Sequence, residues 1–438
     1  MVTTELLGEL HRAHVATIGN GYAAALAAHG WDAVVLHGGS PKIRSMFDDQ
    51  YWPVRPTPHF QHWTPLVQAD AAVIIRPGKR PTLVRNVARD FWDGHPADDG
   101  AHAWASFDVV EANGPSGVKA HLPTGKLAFI GEDRSRAGLW GLPDDAVNPP
   151  GLLRALDALR VAKTPYEVAC LAEANRRAAL GHRRVAEAFA GADGSELELH
   201  LAFLGATEQD DAETPYKNIV ALDRHAATLH HVHYGRRREG ARTLLLDAGA
   251  TFHGYASDVT RTYVKGTGAE VELFAQLVAR VERLQLECCA RVKAGLGYEA
   301  LHDGAHELLA PVLRDLGLAH GSDQALVDGG VTRAFFPHGL GHSLGVQTHD
   351  VGCADLKPRK DNPFLRNTTT IAPGQSFTIE PGCYFIDDLL GPLEASKAGE
   401  LVDWPTVKLL TPLGGVRIED DLVVLDGGLR NLTREVLA

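Results

Sequence analysis

The hydrophobic pattern of the first third of the chain predicts a mixed α/β domain. Helical spacing over residues 4–29 is followed by the short apolar run Ala33–Leu36, and similar runs occur at Ala71–Ile75 and Lys126–Ile130. A helix combined with several short apolar runs bounded by turn residues is typical of strands in a mixed domain. The aromatic, proline-rich stretch 47–64 is expected to be an ordered loop with buried rings, because large aromatic side chains favour burial.

A helix-start signal marks the second region. Thr164 fits the N-cap, Pro165 the first helical position and Glu167 the third, and together they predict that a long helix begins here. Two further helices are predicted at about 270–292 and 298–316. Between the helices lie short strand-like runs: Thr243–Leu246, Ser376–Ile379, Cys383–Ile386 and Gly415–Ile418.

This organisation predicts an α+β protein with two domains, at residues 1–157 and 158–438. Hydrophobic residues make up 45% and charged residues 22% of the chain, as in ordinary globular proteins. The net charge of −12 disfavours nucleic acid and anionic membranes as partners, since both call for a basic face. The five cysteines without CxxC spacing and an N-terminus unlike a signal peptide favour a cytoplasmic protein with reduced thiols.

Four carboxylates and one histidine stand beside glycines or at strand ends in five separated places: Asp247, Asp258, His342, Glu380 and Glu419. Each one alone is a weak signal, because an acid that ends a strand is more often a turn residue. Together they predict acids that converge on one space, where they would repel one another. Two divalent cations would balance their charge, and oxygen ligands with one imidazole suit an ion such as Mn²⁺.

Several segments carry a resemblance to a known family: 214–220 (TPYKNIV), 336–345 (FPHGLGHSLG), 348–352 (THDVG), 378–382 (TIEPG) and 414–420 (GGVRIED). The chain resembles the bacterial Xaa-Pro dipeptidases (prolidases) over nearly its whole length. These metallopeptidases share the pita-bread fold with aminopeptidase P and methionine aminopeptidase. The segment 47–50 (FDDQ) is more similar to the dipeptidase branch than to the aminopeptidase branch.

The resemblance implies a dinuclear hydrolase that cleaves dipeptides with a C-terminal proline. Asp247 would chelate one metal, Asp258 and Glu419 would bridge both, and His342 and Glu380 would complete the second site. The metals would lie about 3.5–4 Å apart and share a hydroxide nucleophile. Glu380, His338 and Arg417 are the implied catalytic residues, with Glu380 relaying a proton. The implied substrate-binding residues are His349, His230, Tyr216, Asp49, Trp92, Tyr298 and Leu365.

Some of these roles have alternatives that the residues leave open. Arg417 lies two positions before Glu419 on one strand face and would clamp the substrate carboxylate, or it would pair with a structural acid. Tyr298 and Leu365 would line the pocket or belong to the ordinary core. His231 and His233, beside His230, are expected to be bystanders, although such a histidine cluster can bind metal non-specifically. Thr348 stands where an aliphatic residue is common in related sequences.

The N-terminal region is implied to cap a neighbouring subunit. Asp49 and Trp92 match residues that reach the partner's active site in the family, so the chain is expected to form a homodimer. The nearest rival function is an aminopeptidase P-like enzyme acting on longer Xaa-Pro peptides. A rival of another class is a metal-free binding module, and hydrolysis of organophosphorus esters is a side activity of relatives.

Overall fold

The computed structural model describes residues 3–87, 100–191, 194–237, 240–352 and 356–437. The chain divides into two compact units. The N-terminal unit comprises the chain up to Cys170 together with His253–Tyr255, and the C-terminal unit comprises the rest. Trp92 lies outside the described residues.

The N-terminal unit contains a mixed sheet and several helices. Its helices are α1 (Thr4–His29), α2 (Pro58–Gln61), α3 (Ala101–Trp104), α4 (Arg134–Trp140) and α5 (Pro150–Ala158). Its strands are β1 (Ala33–His37), β2 (Lys42–Ile43), β3 (Tyr51–Trp52), β4 (Ala72–Ile75), β5 (Thr82–Asn86), β6 (Asp108–Ala112) and β7 (Leu127–Ile130). Short 3₁₀ segments occupy Pro115–His121 and Asp144–Ala146.

The central sheet of this unit has the order β6-β5-β4-β1-β7, and its strands β1, β4 and β7 are apolar and buried on both faces. β1 pairs parallel with β7 and antiparallel with β4. Alternate residues of β1 enter different cores, because successive side chains point to opposite faces: Val34 packs in a cluster with Ile18 of α1, and Val35 in a cluster with Trp140 of α4. Helices therefore cover both faces, which gives the α/β unit expected from the apolar runs.

The aromatic stretch 47–64 is only partly buried, so the expectation of buried rings is wrong for its first half. Phe60 and Trp63 lie in the core, where they pack under the sheet. Phe47 is 92% exposed, and Tyr51 and Trp52 are also exposed on the short β2–β3 pair. The prediction failed because these rings lie on a short two-stranded segment whose residues are exposed.

The long helix α6 (Pro165–Gly191) begins where the capping signal places it. The Thr164 N–H donates to the Glu167 carboxylate at 2.8 Å, and the Glu167 N–H reaches the Thr164 hydroxyl at 3.5 Å. Glu167 also lies 3.4 Å from His62 and 3.8 Å from His14, both fully buried. The first turn of this helix is thus built into the core of the N-terminal unit.

The remaining elements alternate helices with short antiparallel strands. The helices are α7 (Glu196–Thr207), α8 (Ala269–Arg291), α9 (Tyr298–Asp315), α10 (Asp323–Asp328), α11 (Val331–Phe335), α12 (Asp387–Glu394) and α13 (Trp404–Leu410). The strands are β8 (Ile219–Leu222), β9 (Thr243–Asp247), β10 (Thr251–Phe252), β11 (Tyr255–Ala256), β12 (Thr260–Val264), β13 (Ser376–Ile379), β14 (Gly382–Tyr384), β15 (Gly415–Arg417), β16 (Asp420–Leu425) and β17 (Gly428–Asn431). Further 3₁₀ segments lie at Asp223–Ala227, Lys397–Leu401 and Thr411–Leu413.

Three small antiparallel sheets of the C-terminal unit hold the predicted acids. Their strand orders are β12-β9-β8, β13-β16-β17 and β14-β15. Helices α8 and α9 pack on them through a large core that includes Phe274, Leu309 and Phe377. None of the helices within the described ranges combines the length and apolar character that a bilayer crossing requires.

Candidate metal and peptide site

Backbone pairing between distant segments brings the predicted metal ligands together. Asp247, the last residue of β9, pairs with Thr260 at the start of β12, and Asp258 stands two residues before that strand. An isolated bridge joins Thr260 to Glu419. The carboxylates of these three acids therefore come from adjacent strand ends, as the sequence predicted for the two aspartates.

His342 and Glu380 reach the same place through a second backbone connection. The Thr378 N–H donates to the His342 carbonyl at 2.9 Å, and the Glu380 N–H donates to the Leu340 carbonyl at 2.8 Å. The intervening Gly341 is required here, because a Cβ atom at this position would lie 2.0 Å from the Thr378 carbonyl oxygen. The glycine-rich run 339–345 thus allows the two segments to approach closely.

The ligand atoms of Asp258, His342 and Glu419 all lie within 4.8 Å of one another, and the three residues are buried. His342 Nε2 is 3.3 Å from Asp258 and 3.6 Å from Glu380. His342 Nδ1 lies 3.1 Å from the Ser343 carbonyl, which can only accept, so this nitrogen carries the proton. Nε2 therefore faces the carboxylates, where it can accept a proton or bind a cation.

The electrostatics of the site call for a cation. Burial and the neighbouring carboxylates raise the pKa of Glu380 to about 7, and they also raise the pKa values of Asp258 and Glu419. Burial lowers the pKa of His342, but Asp258 and Glu380 outweigh it and raise the value to about 9. Asp247 Oδ1 is buried without a hydrogen-bond partner. This donor set, four carboxylates and one imidazole, fits hard or borderline divalent cations.

Arg417 is held by groups of the chain itself. Its guanidinium donates to Asp247 Oδ2 at 2.6 Å, to the Tyr384 hydroxyl at 2.9 Å and to Thr260 Oγ1 at 3.3 Å. The side chain is almost fully buried. The sequence left open whether Arg417 binds substrate or pairs with an acid of the chain, and in this structure it pairs with an acid. That acid, Asp247, is itself a predicted metal ligand.

Tyr384 was not anticipated from the sequence and links Arg417 to His338. His338 Nδ1 donates to the Gly339 carbonyl at 2.8 Å, so its Nε2 accepts the proton of the Tyr384 hydroxyl at 2.8 Å. Burial and Arg417 lower the pKa of His338 to about 3, which keeps the ring neutral. A tyrosine within the apolar run 383–386 resembles core filler, and its only sequence signal is its nearness to Glu380.

The other predicted pocket residues fall into two groups. His349 stacks edge-on against His342 with ring centroids 4.4 Å apart, and burial, His342 and Arg366 lower its pKa to about 3. Burial raises the pKa of Tyr216 well above its usual value, and the nearby charges of Asp247 and Asp258 raise it further. His230 is exposed, and its charge acts on His338 and His349.

Tyr298 and Leu365 are core residues in this structure. Both belong to the large cluster under α8 and α9, and the Tyr298 hydroxyl donates to the Thr378 carbonyl at 2.8 Å. Arg366 follows Leu365 and is exposed, and its positive charge acts on His349. Sequence reasoning missed Arg366, because one basic residue in a loop carries no distinctive pattern. Asp49 lies exposed in the N-terminal unit, beside the β2–β3 pair.

Comparison with known proteins agrees with this fold. Residues 169–426 match the model of metallopeptidase family M24, and residues 9–158 match the N-terminal domain of Xaa-Pro dipeptidase. Aminopeptidase PepP of Pseudomonas aeruginosa has a similar structure, with a TM-score of 0.72, 23% identity and coverage of 96% of this chain and 95% of that one. Proline aminopeptidase P II of Yersinia pestis gives a TM-score of 0.70 at 23% identity, with 95% of each chain covered. The fold is therefore the expected α+β arrangement, in which an N-terminal α/β domain precedes a pita-bread catalytic domain.

Relatives that are similar in sequence over the whole chain are named Xaa-Pro dipeptidases. The Xaa-Pro dipeptidase of Marinobacter nauticus is 40% identical over 430 residues, covering 98% of both chains. That of Stenotrophomonas maltophilia strain R551-3 is 38% identical over 445 residues, again covering 98% of both. The chain belongs to metallopeptidase family M24, whose model matches residues 169–426. Within that class, the chain belongs to the bacterial Xaa-Pro dipeptidase (prolidase) family.

Proposed function

We propose that the chain hydrolyses dipeptides with a C-terminal proline, using two divalent cations. The observation that carries the proposal is the buried group of Asp258, His342 and Glu419, with Glu380 and Asp247 beside it. The relatives called Xaa-Pro dipeptidases match both domains of the chain, including the N-terminal one. The aminopeptidase likeness is weaker in sequence, at 23% identity or less for the structures compared.

The residues that would hold the cations are Asp247, Asp258, His342, Glu380 and Glu419. We propose Mn²⁺, because oxygen ligands dominate the set and no thiolate is present among them. When bound, the cations supply a water nucleophile that is deprotonated near neutral pH, and they polarise the scissile carbonyl. The chain's own contribution begins with His342, whose Nδ1–H is fixed on Ser343 and whose Nε2 faces the site.

Glu380 is proposed to take and return the reaction's proton. Its carboxylate is within 3.6 Å of His342 Nε2 and 3.7 Å of His338 Nδ1, at the edge of the ligand group. Its Oε1 accepts the Thr378 hydroxyl at 3.3 Å, which orients the group. A carboxylate placed this way can move a proton between the nucleophile and the leaving proline nitrogen.

Arg417 and His338 are proposed to act as positioning residues. Arg417 holds Asp247 through the 2.6 Å contact, and Tyr384 joins Arg417 to the neutral His338. A bidentate clamp on the substrate carboxylate would require Arg417 to leave two buried partners. Arg366 is the better candidate for that carboxylate, because it is exposed and its charge reaches His349.

The remaining pocket is proposed to form from His349, His230 and Tyr216. His349 packs against the ligand His342, and His230 acts electrostatically on His349. The proline nitrogen of the substrate carries no N–H, so shape and ring contacts must replace backbone hydrogen bonding. The imidazole of His349, whose pKa is lowered by burial and by the neighbouring His342 and Arg366, is neutral at pH 7 and suits contact with the apolar proline ring.

We also propose a homodimer in which the β2–β3 segment caps the partner's site. The exposed rings of Phe47, Tyr51 and Trp52 support the proposal, since a group of exposed apolar side chains on one segment is typical of a protein–protein interface. Asp49 lies between them in the sequence, and its exposed carboxylate is proposed to bind the substrate ammonium. Trp92, the other residue proposed for this role, lies outside the described residues. A cytoplasmic location is proposed from the buried thiols of Cys288, Cys289 and Cys383, none of which forms a disulfide.

The test is hydrolysis of Ala-Pro and Ala-Pro-Ala by the full chain, with bound metal measured in parallel. We expect Mn²⁺-dependent cleavage of Ala-Pro with two ions per chain. Faster turnover of the tripeptide would assign the chain to the aminopeptidases instead. Far less than two ions bound, with no turnover after Mn²⁺ addition, would favour a binding module.

A further inference from the structure

A second group of metal-ligand side chains lies on α7 and the loop after β8, apart from the proposed dinuclear centre. Glu196 opens α7, His225 lies in the 3₁₀ segment Asp223–Ala227, and His231 follows in the loop. Glu196 Oε1 is 2.6 Å from His225 Nδ1, and Glu196 Oε2 is 2.8 Å from His231 Nε2. One ligand atom from each of the three residues lies within 4.8 Å of the other two.

The chain prepares Glu196 as a fixed anion. The Leu222 N–H donates to its Oε1 at 3.0 Å and the Gly235 N–H to its Oε2 at 2.6 Å. Burial raises the pKa of this carboxyl, but the hydrogen bonds from His231 and the two backbone groups outweigh it and lower the pKa to about 2. The side chain is only 2% exposed, so its position does not depend on solvent.

The two histidines leave one side of the group open to solvent. Their rings are stacked with centroids 4.5 Å apart and an angle of 25° between planes. The His225 side chain is 55% exposed and that of His231 is 13% exposed. Water can therefore reach the ligand atoms and complete a coordination shell.

We propose that Glu196, His225 and His231 bind one zinc ion. A tetrahedral zinc ion with bonds of about 2.0–2.1 Å spaces its ligand atoms about 3.3 Å apart. The present separations of 2.6 and 2.8 Å from Glu196 need only a small outward movement of each imidazole, and the exposed ring of His225 has room for it. Two imidazoles with one carboxylate favour zinc over manganese, so this site and the proposed dinuclear centre prefer different metal ions.

Zinc at this position would fasten three segments together. Glu196 belongs to α7, His225 to the 3₁₀ segment, and His231 to the loop that also carries His230. Ordering that loop holds His230 in one place, which lowers KM for the dipeptide more than it changes kcat. This consequence rests on the proposed role of His230, whereas the zinc site itself does not.

The experiment compares zinc binding among variants that share an intact dinuclear centre. Mn²⁺-loaded protein is equilibrated with zinc, freed of loosely bound ions and analysed for total zinc per chain. The variants are His225→Ala and His231→Ala, and His233→Ala is the control, because His233 is an exposed histidine of the same loop outside the group. Any zinc that enters the dinuclear centre does so in all four proteins and cancels in the differences.

We expect wild type and His233→Ala to hold one more zinc ion than His225→Ala and His231→Ala. Equal zinc content in all four proteins overturns the proposal, as does an equal loss in the His233→Ala control. Circular dichroism checks the fold of each variant. If His231→Ala misfolds, His225→Ala decides alone, because its half-exposed ring can be removed without opening the core.

Discussion

Replacing Tyr384 with phenylalanine tests whether the link between Arg417 and His338 is used in catalysis. The Tyr384 hydroxyl is buried, accepts from Arg417 at 2.9 Å and donates to His338 at 2.8 Å. Removing one oxygen leaves the ring in place, so packing changes little. Both partners then lose a hydrogen bond at a fully buried position.

The magnitude follows from the charge on one partner. A hydrogen bond to a charged group contributes about 1.5–3 kcal/mol. Arg417 keeps Asp247 and Thr260 as partners, so the guanidinium stays in the site but is less well oriented. If this orientation matters in the transition state, kcat/KM for Ala-Pro falls about 10- to 150-fold, since about 1.4 kcal/mol corresponds to tenfold.

The assay measures kcat and KM at saturating Mn²⁺, together with bound metal. We expect the loss mainly in kcat, because Tyr384 contacts no proposed substrate group. Tyr234→Phe is the matched control, since its hydroxyl also donates a hydrogen bond, at 2.6 Å to the Asn218 carbonyl, and it lies outside the proposed site. A Tyr384→Phe enzyme with kcat/KM within twofold of wild type would refute the reasoning.

Other changes probe the ligands, the pocket and the N-terminal core. Asp258→Asn removes one ligand charge from the buried group, and we expect loss of most activity with fewer than two metals bound; wild-type turnover contradicts the assignment. Arg366→Ala should raise KM for Ala-Pro while leaving kcat nearly unchanged, and a fall in kcat alone would exclude carboxylate binding. Thr348→Val removes a buried hydroxyl that has no hydrogen-bond partner, so the free energy of unfolding should rise by about 1 kcal/mol. Urea titration measures this energy, and a lower value for the variant would contradict the prediction. Burial lowers the pKa of His14 from 6.5 to about 4, so the unfolded chain binds more protons than the folded chain between these two pH values. The free energy of unfolding should therefore fall by up to about 3 kcal/mol as the pH drops from 6.5 to 4, and a flat pH profile in urea unfolding would contradict this.

Local signals in the sequence were sufficient for the four longest helices of the described residues, α1, α6, α8 and α9. The helix predicted over 4–29 is α1, and it ends because Gly30 adopts the left-handed conformation at φ 66°. The predicted helices near 270–292 and 298–316 correspond to α8 and α9 within a residue at each end. These signals depend on neighbours in the chain, which a sequence displays directly.

Pairing between residues far apart in the chain could not be predicted from the sequence. The acids were recognised as a set, but the bridge from Thr260 to Glu419 joins positions far apart in the chain. The same distance hid the contact of Arg417 with Asp247, so the arginine was expected to face substrate. Glu196 lies far from His225 and His231 in the chain, so the grouping of these three side chains is seen only in three dimensions.

Glu167 has two structural roles, and they determine where the chain can be divided into fragments. The residue caps α6 and also faces the buried His14 and His62. A fragment that starts at residue 158 would expose this carboxylate without its histidines, and a fragment that ends at 157 would leave the histidines without their acid. Separate expression of the two parts therefore calls for a cut beyond the first turn of α6, and a shorter N-terminal fragment is expected to be prone to aggregation.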